Sequence, residues 1–179
     1  MREGLKIFLE GVLEGTPLDT DEKLAQMLER TPRRVTSAFS EDLLVGYRSD
    51  PEKILTPVPL PGARGPVALG GLRFTSVCAH HLLPYEGQVL LAFVPDGVHA
   101  GLGRLARLVD CLSRRLTLQE TLTAAIADEL QRALSPRALV VRIEATHSCL
   151  SARGARKEGH RFQTIERRGE RHADLESLL

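Results

Sequence analysis

Hydrophobic positions change their period along this chain near residue 66. Before it the apolar residues follow helices. Leu5, Phe8, Leu9, Val12 and Leu13 recur at helical spacing. Asp19 and Thr20 can cap a second helix that carries Leu24, Met27 and Leu28. Thr31-Pro32 is a start signal for a third, with Val35, Ala38, Phe39, Leu43 and Leu44 as its apolar set. Pro57, Pro59, Pro61, Gly62, Gly65 and Pro66 then mark a loop or hinge.

After residue 66 the pattern reads strand, helix, strand. Val67–Val77 and Gln88–Val94 are expected strands, with the turn Pro95-Asp96-Gly97 after them. Leu102, Leu105, Ala106, Leu108, Val109 and Leu112 recur as on a helix. Thr117-Leu118-Gln119-Glu120 has the form of a capping box opening a second helix with Leu122, Ala125, Ile126, Leu130 and Leu134. In 139–146, Leu139, Val141, Ile143 and Ala145 alternate with Val140, Arg142, Glu144 and Thr146. Phe162–Arg167 is an expected fourth strand, and the last residues are expected to form a short helix or a frayed tail. The organisation expected is a helical region over 1–55, a connection over 56–66 and an α+β domain over 67–179.

Composition narrows the function classes. The chain has 179 residues, 42% of them hydrophobic, with a formal net charge of +1. Nothing global points to nucleic acid, and with no tryptophan and 4% aromatic residues a base-stacking platform is not expected. No apolar run approaches the roughly 20 residues of a membrane span. The N-terminus lacks the pattern of a signal peptide, so a cytoplasmic location is the expectation. In a reducing compartment, cysteines serve as metal ligands or free thiols more often than as disulfides.

Two segments hold the candidate chemistry: Cys78-Ala79-His80-His81 and His147-Ser148-Cys149. Zn²⁺ favours thiolate and imidazole, and a catalytic site uses three such ligands and leaves a position for water. Cys78, His81 and Cys149 would supply that set. The alternative is that both cysteines are small buried hydrophobes and His81 an ordinary polar contact. His80 and His147 neighbour these candidate ligands, and imidazole as a side-chain type suits proton transfer near neutral pH; support of the ligands or a solvent-exposed ring is the alternative. Cys111, far from any histidine in sequence, is expected to be buried. Arg104 and Arg107 share a helix face, and with Arg34 and Arg153 they could grip phosphate oxygens or form surface ion pairs. Glu120 is either the carboxylate of the capping box or an acceptor for an amidine-like edge.

In order, these blocks resemble GTP cyclohydrolase I. They are Thr31-Pro32-Arg33-Arg34-Val35, Gly46 to Pro51, Thr75 to His81, Gly101 to Val109, Arg115 to Thr123, and His147 to Gly154. The resemblance implies a tunnelling fold, with a four-stranded antiparallel sheet and two helices per subunit. It implies homo-oligomeric rings, two of which stack into a decamer with active sites between subunits. It also implies a Zn²⁺ cofactor on Cys78, His81 and Cys149, His80 and His147 as the acid/base pair, and Gln119 and Glu120 at the guanine edge. Arg34, Arg104, Arg107 and Arg153 would hold the triphosphate. The implied reaction is hydrolysis of GTP at C8 to formate and 7,8-dihydroneopterin triphosphate, in tetrahydrofolate biosynthesis.

The chain departs from the family pattern in three places. Ala79 stands where a glutamate is usual, Gly103-Arg104 replaces a serine–lysine pair, and the segment after Gly154 carries added charge and bulk. These changes fit a divergent enzyme. They also fit a paralog that only opens the ring of GTP or another purine nucleotide, or a non-catalytic purine- or pterin-binding ring.

Overall fold

A computed structural model describes residues 1–16, 22–62 and 65–178. The chain forms two compact units, Met1–Val45 and Gly46–Leu179.

The first unit holds α1 (Arg2–Leu13), α2 (Glu22–Ser37) and a π-helical turn over Ala38–Leu43. Leu5, Leu9 and Leu13 are half-buried at i, i+4 spacing, while Phe8 and Val12 are exposed. The caps expected at Asp19 and Thr20 lie outside the described residues. No third helix begins at Thr31-Pro32, because α2 runs through Pro32. Proline removes a single N–H from the ladder, and the Thr36 hydroxyl donates to the Pro32 carbonyl at 2.7 Å. The backbone then widens, with the Leu44 N–H reaching back five residues to the Phe39 carbonyl.

The second unit is built on a sheet. Its elements are β1 (Val58–Pro59), β2 (Val67–Cys78), β3 (Pro84–Val94), β4 (Val98–His99), α3 (Leu102–Ser113), β5 (Leu116–Thr117), α4 (Gln119–Leu134), β6 (Ala138–His147), α5 (Ser148–Ser151), β7 (Phe162–Gly169) and α6 (Ala173–Glu176). The main sheet has the order β5–β2–β3–β6–β7. All its pairings are antiparallel except the two-residue β5, which lies parallel to the end of β2.

Alternation along the strands fixes the core. Phe74 on β2, Val89, Leu91 and Phe93 on β3, and Leu139, Val141 and Ile143 on β6 face α3 and α4. Leu105, Leu108, Leu122, Ile126 and Leu130 of those helices complete the cluster, each at most 1% exposed. On the opposite face, Leu175 of α6 covers Ala92, Val94, Ala138 and Val140. Burial at roughly 25 cal/mol per Å² of apolar surface makes this period-2 face the main reason the strands hold their register. Gly87 allows β3 and β6 to close near the site, since a Cβ there would collide with the Glu144 carbonyl.

The expected capping box at Thr117 is not formed. The N-cap of α4 is Leu118, with no side-chain cap, and the Thr117 hydroxyl donates to the Leu118 carbonyl. Gln119 and Glu120 therefore occupy the first turn, one turned inward and the other exposed.

Candidate metal centre and its cleft

The core-facing row at one end of the sheet runs Ser76, Tyr85, His147, because Ser76 pairs with Tyr85 and Tyr85 with His147. Cys78 lies two residues beyond Ser76 on the same face of β2, and Cys149 lies two residues beyond His147 in α5. The alternation that points hydrophobes at the helices thus points Cys78 and His147 toward the same end, and the turn into α5 brings Cys149 to the same cleft. A tight loop after β2 completes the set. The Leu82 N–H bonds the Cys78 carbonyl at 2.9 Å, the Cys78 N–H bonds the Leu83 carbonyl at 2.9 Å, and Leu82 takes a positive φ of 55°.

This loop brings His81 back over the cysteines. The ligand atoms of Cys78, His81 and Cys149 all lie within 4.8 Å of one another. Tetrahedral zinc with Zn–S of ~2.3 Å and Zn–N of ~2.1 Å separates its ligands by roughly 3.6 Å, so only a small contraction is needed. The electrostatics agree with a cation there. Burial and the neighbouring Cys78 sulfur push the Cys149 thiol above its ordinary value. Two thiolates this close repel, and a divalent ion removes that repulsion. The donor set therefore fits zinc.

His147 is held on several sides. Its ring stacks on Tyr85 with centroids 4.6 Å apart and planes 3° from parallel, and Phe162 meets it edge-on at 5.7 Å. Burial pushes the Tyr85 phenol up to about 12, so the stacking partner stays neutral. The His147 Nε2 lies 2.8 Å from Gln119 Oε1.

The Gln119 amide is fixed by what surrounds it. Its Nε2 donates to the carbonyls of Ile143 at 3.1 Å and Phe162 at 3.0 Å, and to Thr164 Oγ1 at 3.1 Å. The nitrogen must face those carbonyls, so Oε1 faces His147 and accepts the Nε2 proton. In neutral His147 the other ring nitrogen, Nδ1, is left without a proton. Burial and the nearby His160 favour that neutral form, against a smaller opposing pull from Glu120. The Thr123 hydroxyl donates to the Gln119 carbonyl at 2.7 Å and lies 2.6 Å from Thr164 Oγ1, so Thr164 is the donor in that pair.

A cleft of about 270 Å³ opens on this group. Cys78, His80, His81, Gln119, Glu120, His147 and Cys149 line it, with Tyr85, Leu118, Leu150, His160 and Phe162 as further walls. Seven of the residues picked out in the sequence are thus brought to one place.

Residues 13–177 match the GTP cyclohydrolase I family. The chain is 40% identical to GTP cyclohydrolase 1 of Brucella anthropi over 161 residues, covering 89% of this chain and 75% of that protein. The chain belongs to the GTP cyclohydrolase I family. It is also 44% identical to GTP cyclohydrolase 1 of Bartonella quintana over 131 residues and 42% identical to that of Brucella canis over 134. Those two matches span 63% and 62% of the relatives' lengths, less than two thirds of either. Among solved structures, an archaeosine synthase QueF-Like protein in the apo form superposes with a TM-score of 0.50 at 19% identity, over 60% of this chain and 96% of that one. The fold is a tunnelling fold, as the resemblance implied.

Three of the arginines picked out in the sequence lie outside the cleft lining. Arg104, Arg107 and Arg153 are exposed and are not among its lining residues. Arg104 donates to the Ile54 carbonyl at 2.9 Å. Arg153 is near enough to act on Cys149, lowering its thiol slightly. Arg34 belongs to the first unit, in the last turn of α2. Cys111 is buried, and Arg115 clasps its sulfur at 3.3 Å and the carbonyls of Gly46 and Ser49 at 3.0 Å.

Tyr85, His160 and Phe162 were not singled out by the sequence reading. Their place beside His147 depends on register, and no local motif announces it. Counting along β3 and β6 from the paired hydrophobes would have set Tyr85 opposite His147.

Proposed function

We propose that the protein is a zinc-dependent enzyme that hydrolyses the purine ring of GTP at C8, releases formate and forms 7,8-dihydroneopterin triphosphate. One observation carries the reading: the trio Cys78, His81 and Cys149 shares a cleft with a histidine whose Nδ1 is kept free of its proton. Zinc held by the trio would supply a Lewis acid that makes water nucleophilic near neutral pH.

The chain's own residues supply the rest. His147 acts at Nδ1, taking a proton in one step and returning it to a purine ring nitrogen or a leaving amine in another. Its neutral resting form suits the base half of that cycle. His80, exposed at the mouth of the cleft, is the second proton carrier. The Glu120 carboxylate, exposed at the start of α4, accepts hydrogen bonds from guanine N1–H and the exocyclic amine. The Gln119 side chain is buried and its amide is committed within the protein. It serves guanine recognition indirectly, by fixing the turn that carries Glu120, and it serves catalysis by fixing His147. Leu118, Leu150 and Phe162 offer apolar surface to the purine and exclude water around the reacting carbon.

Arg34, Arg104, Arg107 and Arg153 hold the triphosphate. Their exposure suits a homo-oligomer with active sites between subunits, a decamer in this reading, in which some arginines come from a neighbour. A cytoplasmic location fits the substrate. The loss of a carboxylate at Ala79 favours one second reading, an enzyme that stops at the ring-opened product.

Incubation of the zinc-loaded protein with GTP, followed by mass analysis of the products, separates these readings. Formate and 7,8-dihydroneopterin triphosphate are expected. An accumulating formamidopyrimidine nucleotide supports the arrested reaction. Intact GTP after long incubation contradicts both.

A further inference from the structure

His147 ends β6 at a point where its neighbour strand has already stopped. The last β6–β7 pair is Ala145 with Phe162. Two residues further along that register, His147 would stand against His160, but β7 does not reach it. The His147 N–H would lack a strand partner. The His160 side chain takes that place, and its Nε2 accepts the His147 N–H at 2.9 Å.

The geometry of the acceptor is set by the loop that carries it. An imidazole nitrogen that accepts an N–H carries no proton, so the proton of neutral His160 is on Nδ1. That Nδ1–H donates to the Lys157 carbonyl at 2.7 Å. Lys157 is itself tied down, its N–H bonding the Leu150 carbonyl at 3.1 Å. Gly154 and Gly159, at φ of 60° and 68°, let the loop fold back this tightly. Both nitrogens of His160 are occupied, so it is not a free proton carrier. Its ring centroid lies 6.4 Å from that of His147.

We propose that His160 is a positioning residue for His147: it stands in for the missing strand and fixes the backbone from which the catalytic imidazole projects. Gln119 holds the ring at Nε2, Tyr85 holds its face and His160 holds its main chain. Together they fix where Nδ1 points. The catalytic half of the proposal rests on reading His147 as a proton carrier, whereas the positioning half does not.

Two variants of the full-length, zinc-loaded protein test it. H160M keeps bulk and removes the acceptor. H160Q restores an acceptor and a donor at a similar separation. With GTP as substrate, H160M is expected to lose about tenfold in kcat with KM within twofold of wild type, and H160Q to recover at least half of the loss. Hydrogen–deuterium exchange resolved to the His147 amide is expected to speed up about tenfold in H160M and to stay near the wild-type rate in H160Q. If H160M does not fold, H160A is carried through the same assays. A kcat within twofold of wild type, a loss confined to KM, or an H160Q variant as slow as H160M overturns the catalytic half. An unchanged His147 amide overturns the positioning itself. Should the wild-type protein leave GTP intact, the functional reading fails, and the exchange measurement still decides whether His160 holds His147.

Discussion

The two sides of the cleft are built differently. On one side, His147 is packed between Tyr85, Phe162, Gln119 and His160, and the network behind it runs through residues at most 1% exposed, Gln119 and Thr123. On the other side, His80 and His81 are exposed on a tight loop beyond the end of β2. A proton carrier must be aimed before substrate arrives, because a poorly aimed imidazole cannot be corrected in the transition state. A metal ligand on an outer loop can be drawn the last fraction of an ångström by the ion itself. In the proposed reaction, rigidity is therefore concentrated at His147 and adjustability at His81.

The largest effect expected on either side is the loss of a ligand. Cys149→Ala leaves two protein donors, and activity on GTP should fall by at least about a thousandfold with the bound zinc, read together by product formation and metal analysis. Substantial turnover in that variant would show that the trio is not the metal centre. Next comes the rigid side. Gln119→Leu unpins the His147 Nε2 and strands the buried carbonyl of Ile143 and the part-buried one of Phe162. A stability loss of about 2–3 kcal/mol in denaturant unfolding is expected, with kcat lowered about a hundredfold in the protein that remains folded. If kcat is unchanged, the buried network is only scaffolding and the contrast between the two sides has no catalytic meaning.

A smaller effect is expected in the pH profile. The His147 imidazolium is disfavoured by burial and by His160, so the group loses its base form only below the ordinary histidine value of about 6.5. The acid limb of kcat/KM for GTP should accordingly lie below that value. A bound cation would push it further the same way. An acid limb clearly above 6.5 would mean that another group is the base.

Much of this was legible in the sequence, in proportion to how local its cause is. The period-2 faces of 139–146 and the helical spacing of 102–112 came through because burial of one face dictates them. The trio Cys78, His81 and Cys149 was legible as residue types that zinc favours, and the structure brings their donor atoms within 4.8 Å of one another. Three features were less accessible. Pro32 reads as a helix start, yet the helix passes through it at the cost of one ladder bond. Thr117 to Glu120 reads as a capping box, but Gln119 turns inward to satisfy the β6 and β7 carbonyls instead. His160 gained its place from a strand that ends two pairs short of it, which depends on register between distant segments.

The central claim is that sulfur from β2 and from the turn after β6 grips one ion with His81. Zinc-edge X-ray absorption on the wild-type protein tests it most directly. The account predicts one zinc per chain with two sulfurs at about 2.3 Å, one imidazole nitrogen at about 2.0–2.1 Å and a further light atom. A shell of nitrogen and oxygen alone, or protein that turns over GTP without binding zinc, would contradict it.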